Sequence, residues 1–296
     1  MRKPKIAVIG SSSMDLVVTS KRRPGAGETV LGESFETVPG GKGANQAVAA
    51  ARLGAEVYMI GRVGEDAYGT AILNNFKSNG VQTDYVEPVT HVRSGTAHII
   101  LAEGDNSIVV VKGANDHVTP DYVKEKRDFI ETCDLVMIQQ EVPEETVIET
   151  ARLCQELGVP LLLNPAPARE IPDRVVEQVS YLTPNEHEAA LLFQGEELAK
   201  ALKKYPNKLF ITEGAAGVRY FDGKEEALVP SFPVKPIDTT GAGDTFNAAF
   251  GTAIAEGMGL RDSLRFANRA ASLSVTGFGA QGGMPTRKEV EGGLTE

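Results

Sequence analysis

The sequence predicts an α/β protein: a doubly wound, mostly parallel sheet flanked by helices, with a small β-sheet lid. Three observations carry this. Short apolar runs alternate with helix-length periodic segments along most of the chain, the pattern of a sheet covered by helices on both faces. Helix boundaries carry matching start and stop residues. Two β-rich stretches, 15–38 and 95–112, interrupt the alternation and together suit a separate small sheet.

In chain order, Lys5–Gly10 reads as the first strand and 15–38 as β-rich pieces around Pro24-Gly-Ala-Gly. Gly40–Gln46 then opens a helix continuing through Asn45–Leu53. Glu56–Gly61 is a strand and Ala67–Asn79 a helix. Thr96–Leu101 and Ile108–Val111 flank Glu103-Gly-Asp-Asn and resemble a hairpin. Thr119-Pro120-Asp121 places a cap, a first-turn proline and an acid in the order a helix start requires. Leu135–Gln139 is a strand, Glu144–Leu157 a helix stopped by Gly158 and Pro160, and Val159–Asn164 the next strand. Thr183-Pro-Asn-Glu-His-Glu188 starts a further helix, Lys208–Thr212 is a strand, and Asp238–Asp244 leads into a helix rich in small residues. Leu260–Val275 is a last long helix, followed by the glycine-rich segment Thr276–Gly283.

At 296 residues the chain can bury one large α/β core, so a single domain over 1–296 is expected, its lid formed by about 15–38 and 95–112. No apolar run approaches the roughly 18 residues that a membrane span needs. The start Met1-Arg-Lys-Pro-Lys leads straight into Ile6-Ala-Val-Ile9 instead of a secretory signal, so a cytoplasmic location is expected. A net charge of −10 opposes nonspecific nucleic-acid binding, and the one dense basic triplet, Lys21-Arg22-Arg23, reads as a solvated turn. Cys133 and Cys154 lack metal-ligand spacing and read as small buried hydrophobes. The lid strands carry more apolar residues than one small sheet can bury, so a homodimer paired through the lid is expected.

The run Asp238-Thr-Thr-Gly-Ala-Gly-Asp-Thr-Phe carries the most chemistry. Its glycines allow a tight turn, and the helix behind aims unpaired N–H groups and its positive end forward, making an anion hole at Gly241, Ala242 and Gly243. Asp244 then sits at the helix start beside any phosphate bound there; the competing reading is a helix that is only capped by an acid. Neither the P-loop pattern nor a dinucleotide fingerprint occurs.

Ligands of an open parallel sheet gather beyond the carboxyl ends of its strands. After the first strand, the hydroxyls of Ser11, Ser12 and Ser13 and the Asp15 carboxylate suit vicinal sugar hydroxyls, or form a plain serine-rich turn. Gly40-Gly-Lys-Gly-Ala-Asn-Gln46 lets backbone at Gly41 and Gly43 and the side chain of Asn45 approach a small ligand, with Lys42 adding positive charge. Glu141 and Asn164-Pro-Ala-Pro167 mark two further strand ends. Asn185 and Glu188 share one face of a first turn, as a capping box or as hard oxygen ligands for the water shell of magnesium. Thr212, Gly214 and Gly217 form either a tight turn or a phosphate contact.

In this order and spacing, over nearly the whole chain, these pieces resemble the ribokinase family of carbohydrate and nucleoside kinases. The most specific segments are Gly40–Gln46, Asn164–Arg169, Thr183–Glu188 and Asp238–Phe246, and they look like the ribokinase branch more than the fructokinase or adenosine kinase branches. The resemblance implies ATP-dependent phosphorylation of the ribose 5-hydroxyl, with Asp244 as general base. It implies sugar binding by Asp15, Gly41, Lys42, Asn45 and Glu141, and a nucleotide site lined by Asn185, Thr212, Gly214, Gly217, Gly243 and Asn268. The alternative for Asn268 is an exposed polar residue on its helix. The resemblance also implies Mg2+ with ATP, and an activating K+ held by oxygens of Asp238, Thr240, Ser274, Gly277, Gly279 and Gly283. Ribokinases commonly present Asn where this chain has Ser13, which leaves room for a bridging water or a slightly different sugar. A kinase for deoxyribose, fructose or a nucleoside, and a nonenzymatic sugar or nucleotide sensor, are the competing functions.

Overall fold

The computed structural model describes residues 2–294. Its central sheet contains β1 (Lys5–Ile9), β4 (Glu56–Gly64), β5 (Gln82–Val89), β8 (Leu135–Ile138), β9 (Leu161–Leu163) and β10 (Tyr181–Leu182). They lie in the order β10-β9-β8-β1-β4-β5, and every adjacent pair is parallel.

A strand buried on both faces must be apolar throughout, because successive side chains point to opposite sides. In β1, Ile6 and Val8 enter one hydrophobic core while Ala7 and Ile9 enter the other; in β8, Leu135 and Met137 separate from Val136 and Ile138 in the same way. The first core is closed by the helices Lys42–Arg52, Ala242–Ala255 and Leu260–Ser274, through Ala47, Val48, Phe246, Phe250, Leu264 and Ala267. Fully burying a phenylalanine such as Phe250 contributes roughly 1.5–3 kcal/mol. The second core is closed by the helix Glu144–Leu157, and it contains both cysteines.

A second, four-stranded sheet is built from β2 (Ser13–Thr19), β3 (Ser34–Gly40), β6 (Gly95–Ala102) and β7 (Asp105–Val111), in the order β3-β2-β6-β7. The β6–β7 hairpin turns at Glu103 and Gly104, both at positive φ as a two-residue hairpin turn requires. The expected β-rich stretch around Pro24-Gly-Ala-Gly is instead an irregular connection between β2 and β3. Proline and a left-handed glycine at Gly27 end strand pairing there.

Lys208–Thr212 also differs from expectation. Its strand β11 (Phe210–Thr212) leads an antiparallel sheet with β12 (Val218–Phe221) and β13 (Glu226–Val229), joined to the end of the parallel sheet by the bridges Leu182–Leu209 and Asn185–Thr212 and by the ring contact of Tyr181 with Phe210. Helix punctuation matches the pattern read from sequence. Thr119 accepts a hydrogen bond from the Tyr122 N–H at the start of Pro120–Lys124, and Gly158 closes Glu144–Leu157 in the left-handed region.

Candidate active site

Two helix starts converge over the carboxyl ends of β1 and β8. At the first, Gly43 lies so close to the turn after β1 that a Cβ there would approach the Ser11 nitrogen to 2.6 Å. The backbone N–H of Lys42 has no side-chain cap of its own and donates instead to Glu141 Oε2 at 2.9 Å. That oxygen also accepts from Ser11 Oγ at 2.5 Å, so Glu141 ties the first strand end to the helix start. The placement suits a carboxylate, since an anion is favoured at the positive end of a helix.

The second helix, Ala242–Ala255, begins at Gly241 with φ 78°, where a Cβ would approach the Ala280 backbone to 2.9 Å. Only glycine takes this turn without strain. Gly243 is exposed and faces open space, with nothing within 4 Å of where its Cβ would stand, whereas the Ala242 N–H already donates to the Thr239 carbonyl at 3.3 Å.

Asp244 lies in that first turn and is 7% exposed. Asn45 Nδ2 donates to its Oδ2 at 2.9 Å, and Gln46 Nε2 donates to its Oδ1 at 3.1 Å. Burial pushes the Asp244 carboxyl above the ordinary aspartate range; Lys42 and the two amide donors oppose this, and Glu141 adds to it. Burial alone would lower the Lys42 ammonium, but Asp244, Glu141 and Glu188 outweigh it and hold Lys42 above its usual value, hence charged. Asp15 is pushed up to about 6 by burial, with Ser13 pulling down and Glu141 and Asp244 pushing up. Lys42 thus shares the region beyond the strand ends with four acids, Asp15, Glu141, Glu188 and Asp244.

Ser13, 7% exposed, donates to Asp15 Oδ1 at 3.0 Å, so its hydroxyl proton is engaged by its neighbour. Asn164, at the end of β9, accepts from Gln46 Nε2 at 3.2 Å and donates to the Thr183 carbonyl at 3.2 Å. Thr183 in turn donates to Asn247 Oδ1 on the second helix. The β9 and β10 ends are therefore bound into the same polar floor.

Asn185 and Glu188 form a full capping box: Glu188 N–H donates to Asn185 Oδ1 at 2.8 Å, and Asn185 N–H to Glu188 Oε2 at 2.9 Å. Burial raises the Glu188 pKa, partly offset by the Asn185 N–H and by Lys42, so this acid also feels the central cleft. Thr212 stands beside Asn185, its N–H donating to the Pro184 carbonyl at 2.9 Å. Gly214 and Gly217 bound a single 3-10 turn after β11. Asn268 is not the exposed polar residue its helical pattern allows. It is 4% exposed, and its Nδ2 donates to the carbonyls of Val229 and Pro230 at 2.8 and 3.1 Å, so it anchors the end of β13 to the Leu260–Ser274 helix.

Before the second helix, Asp238 accepts from Thr240 N–H at 2.9 Å, Thr240 Oγ1 at 2.7 Å and Gly279 N–H at 2.9 Å. Burial would raise its pKa, but these three donors lower it, so the carboxylate is ionised. It joins its own turn to the glycine-rich loop. A Cβ on Gly283 would lie 2.0 Å from the Ser274 carbonyl oxygen, and one on Gly277 2.7 Å from Gly283 Cα. Ser274, Gly277 and Gly283 therefore meet backbone to backbone, as a carbonyl-lined cradle demands.

Several polar residues of this floor had no role assigned from sequence: Gln46, Asn115, Gln139 and Gln281. Asn115 Oδ1 accepts from Ser12 N–H at 2.9 Å, and its Nδ2 returns a bond to the Ser12 carbonyl, fixing the turn before Ser13. A usable signal was the polarity of Gln139 and Gln140 directly after an apolar strand.

Residues 3–287 match the model of the pfkB family carbohydrate kinases. The chain is 68% identical to the ribokinase of Bacillus subtilis (strain 168) over 286 residues, covering 97% of this chain and 98% of that protein. It is 48% identical to the ribokinase of Lactococcus lactis subsp. lactis (strain IL1403) over 293 residues, covering 99% of this chain and 97% of that one. The structure of Arabidopsis thaliana ribokinase complexed with ribose and ATP superposes with a TM-score of 0.92 at 34% identity, covering 100% of both chains. The chain belongs to the pfkB family of carbohydrate kinases.

Proposed function

We propose that this kinase transfers the γ-phosphoryl group of ATP to the 5-hydroxyl of D-ribose, giving ribose 5-phosphate and ADP. The observation that carries the mechanism is Asp244: a buried carboxylate in the first turn of a helix, held through both oxygens by Asn45 and Gln46. As the 5-hydroxyl oxygen attacks the γ-phosphorus, its proton passes to Asp244. The phosphoryl oxygens, which gain charge, face the N–H groups of Gly241, Ala242 and Gly243. Phosphoryl transfer asks mostly for positioning and charge stabilisation, and a helix start with Lys42 nearby supplies both.

The sugar is gripped by Asp15, Asn45 and Glu141 with Ser13, Gly41, Lys42 and Gly43 around it. The nucleotide lies along Asn185, Thr212, Gly214, Gly217 and Gly243. Asn268 acts there as a support, since its amide donors are already used by Val229 and Pro230. Asn185 and Glu188 offer hard oxygens that suit Mg2+ through its water shell, and the bound ion would neutralise charge on the ATP phosphates. The ionised Asp238 carboxylate and the carbonyl-rich contacts among Thr240, Ser274, Gly277, Gly279 and Gly283 suit K+.

The four-stranded sheet is read as a lid on one domain, and its exposed Phe35, Ile108, Val109, Val110 and Val111 as the surface that pairs two copies. Among the described residues no helix is long and apolar enough to cross a membrane. Two free, buried thiols suit a reducing compartment such as the cytoplasm.

An ADP-release assay over pentoses, 2-deoxyribose, hexoses and nucleosides, with the phosphate position fixed by NMR, tests the substrate. Ribose with phosphate on the 5-oxygen is expected to dominate. Because the Ser13 hydroxyl is already committed to Asp15, 2-deoxyribose is the informative competitor. No turnover with any acceptor would favour a sensor.

A further inference from the structure

We infer that Gln46 is the positioning residue of the base: its amide, held in turn by Gln139, fixes the plane of the Asp244 carboxylate and the direction of its free lone pairs. The inference rests on Asp244 being the base. Gln46 and Gln139 are both 0% exposed, so no solvent serves their amides. Gln46 Nε2 spends its two hydrogens on Asp244 Oδ1 at 3.1 Å and Asn164 Oδ1 at 3.2 Å. Its Oε1 accepts from Gln139 Nε2 at 2.6 Å.

This orientation is forced from two sides. An ionised carboxylate only accepts, so the NH2 of Gln46 must face Asp244. Asn164 has already committed its Nδ2 to the Thr183 carbonyl, which leaves its Oδ1 to face Gln46. The oxygen of Gln46 is thereby turned to Gln139, whose amide donates to it. A flipped Gln46 would set its oxygen against two acceptors. With Asn45 on Oδ2 and Gln46 on Oδ1, rotation of the carboxylate about Cβ–Cγ would break a bond at each end. The remaining lone pairs are thereby aimed at the cleft, where the acceptor hydroxyl must arrive within hydrogen-bond reach.

The test is the pH dependence of kcat for Gln46→Met, which keeps the volume and removes the donor. The charged groups acting on Asp244 are Lys42 from its own helix start, Glu141 from the β8 end, Glu188 and Asp15, and all are retained in the variant. Gln46→Met is expected to lower kcat on the order of 10-fold while KM for sugar and ATP stays within about threefold. The acid limb of the profile should move to higher pH, because one of two donors that favour the ionised base is gone. Gln139→Met, remote from the carboxylate, should shift both in the same direction by less, and it carries the test if Gln46→Met does not fold. Wild-type kcat and acid limb in the folded variant, beside an inactive Asp244→Asn enzyme, would reduce Gln46 to packing. An active Asp244→Asn enzyme would instead overturn the base assignment, and this inference with it.

Discussion

Gln281 Nε2 donates to Asn45 Oδ1 at 3.0 Å, joining the glycine-rich loop to a helix 236 positions earlier in the chain. Gln281 is itself held by Asn75, whose Nδ2 donates to Gln281 Oε1 at 2.8 Å. Asn45 therefore reaches Asp244 with its own oxygen already occupied. Gln281→Ala frees the Asn45 amide to rotate, and with it one of the two bonds on the base. We expect kcat/KM for the sugar to fall on the order of 10-fold with KM for ATP little changed. Steady-state kinetics with each substrate varied in turn checks this, and an unchanged sugar kcat/KM would show that Asn45 holds its place unaided.

Asp244→Asn keeps the shape of the base and removes its ability to take a proton. Loss of a general base costs about 10²–10⁴-fold in rate. Sugar and ATP binding should persist, since Asp15, Glu141 and the Asn185 region are untouched. Calorimetric binding beside kcat separates the two effects, and near-normal kcat would remove Asp244 from the chemistry.

Asp244 and Asn45 were legible in the sequence because each sits in a short motif whose glycines announce a turn before a helix. Gln46 belongs to the same motif, yet its bond to Asp244 spans 198 positions, and nothing local to Gln46 marks it as more than a helix residue. Gln139 was marked only by its polarity at the end of a buried strand, and Gln281 lies in a loop whose glycines drew the reading as a K+ site. The parallel sheet was readable because strands buried on both faces are apolar throughout. β11 to β13 were less so: strands of three or four residues carry too little alternation to fix their direction, and their pairing with one another decides it. The alternative reading of Asn268 as an exposed helix residue fails for a related reason. Its helical position fits the polar flank, but a β-strand end happens to cover it.

Asp15 supplies a pH prediction of definite sign. Its folded pKa of about 6 lies above the 3.8 of an unburied aspartate, so relative to such a group it contributes stability below 3.8 that is lost as pH rises through about 6. The loss amounts to at most about 3 kcal/mol for a shift of this size. Asp15→Asn should therefore raise the melting temperature of the free enzyme above pH 6 and have little effect well below it. Sugar affinity should move the other way, weakening in the wild type as pH falls through about 6 and the carboxylate loses acceptor capacity. Melting and titration of both proteins across that range decide it; a variant no more stable than wild type above pH 6 would mean that Asp15 is not strained by burial.

The outer strand of the small sheet exposes Val109 at 66% and Val110 at 55%, on opposite faces of β7, with Phe35 at 62% across the sheet. A four-stranded sheet with apolar groups open on both faces calls for a cover on each, and the proposed lid and dimer would supply the substrate side for one and a second copy for the other. Light scattering at micromolar concentration should give twice the chain mass, and Val109→Asp should shift it toward the monomer. A monomeric wild type would show that the sheet serves as a lid alone.

Gly283→Ala tests the cation cradle most directly. The added Cβ would stand 2.0 Å from the Ser274 carbonyl oxygen, closer than any contact tolerates, so the loop must open. If K+ is held by these carbonyls, wild-type activity should fall when sodium replaces potassium, because a cradle of fixed backbone oxygens discriminates by field and fit. Gly283→Ala should show lower activity in both salts and little difference between them. The change should reach the base through two routes that leave the loop: Asp238, which accepts from Gly279, and Gln281, which holds Asn45. Combining Gly283→Ala with Gln281→Ala should then cost less than the sum of the two single effects, since both act on one network. Full additivity, or a wild type indifferent to the choice of cation, would separate the glycine-rich loop from the chemistry at Asp244.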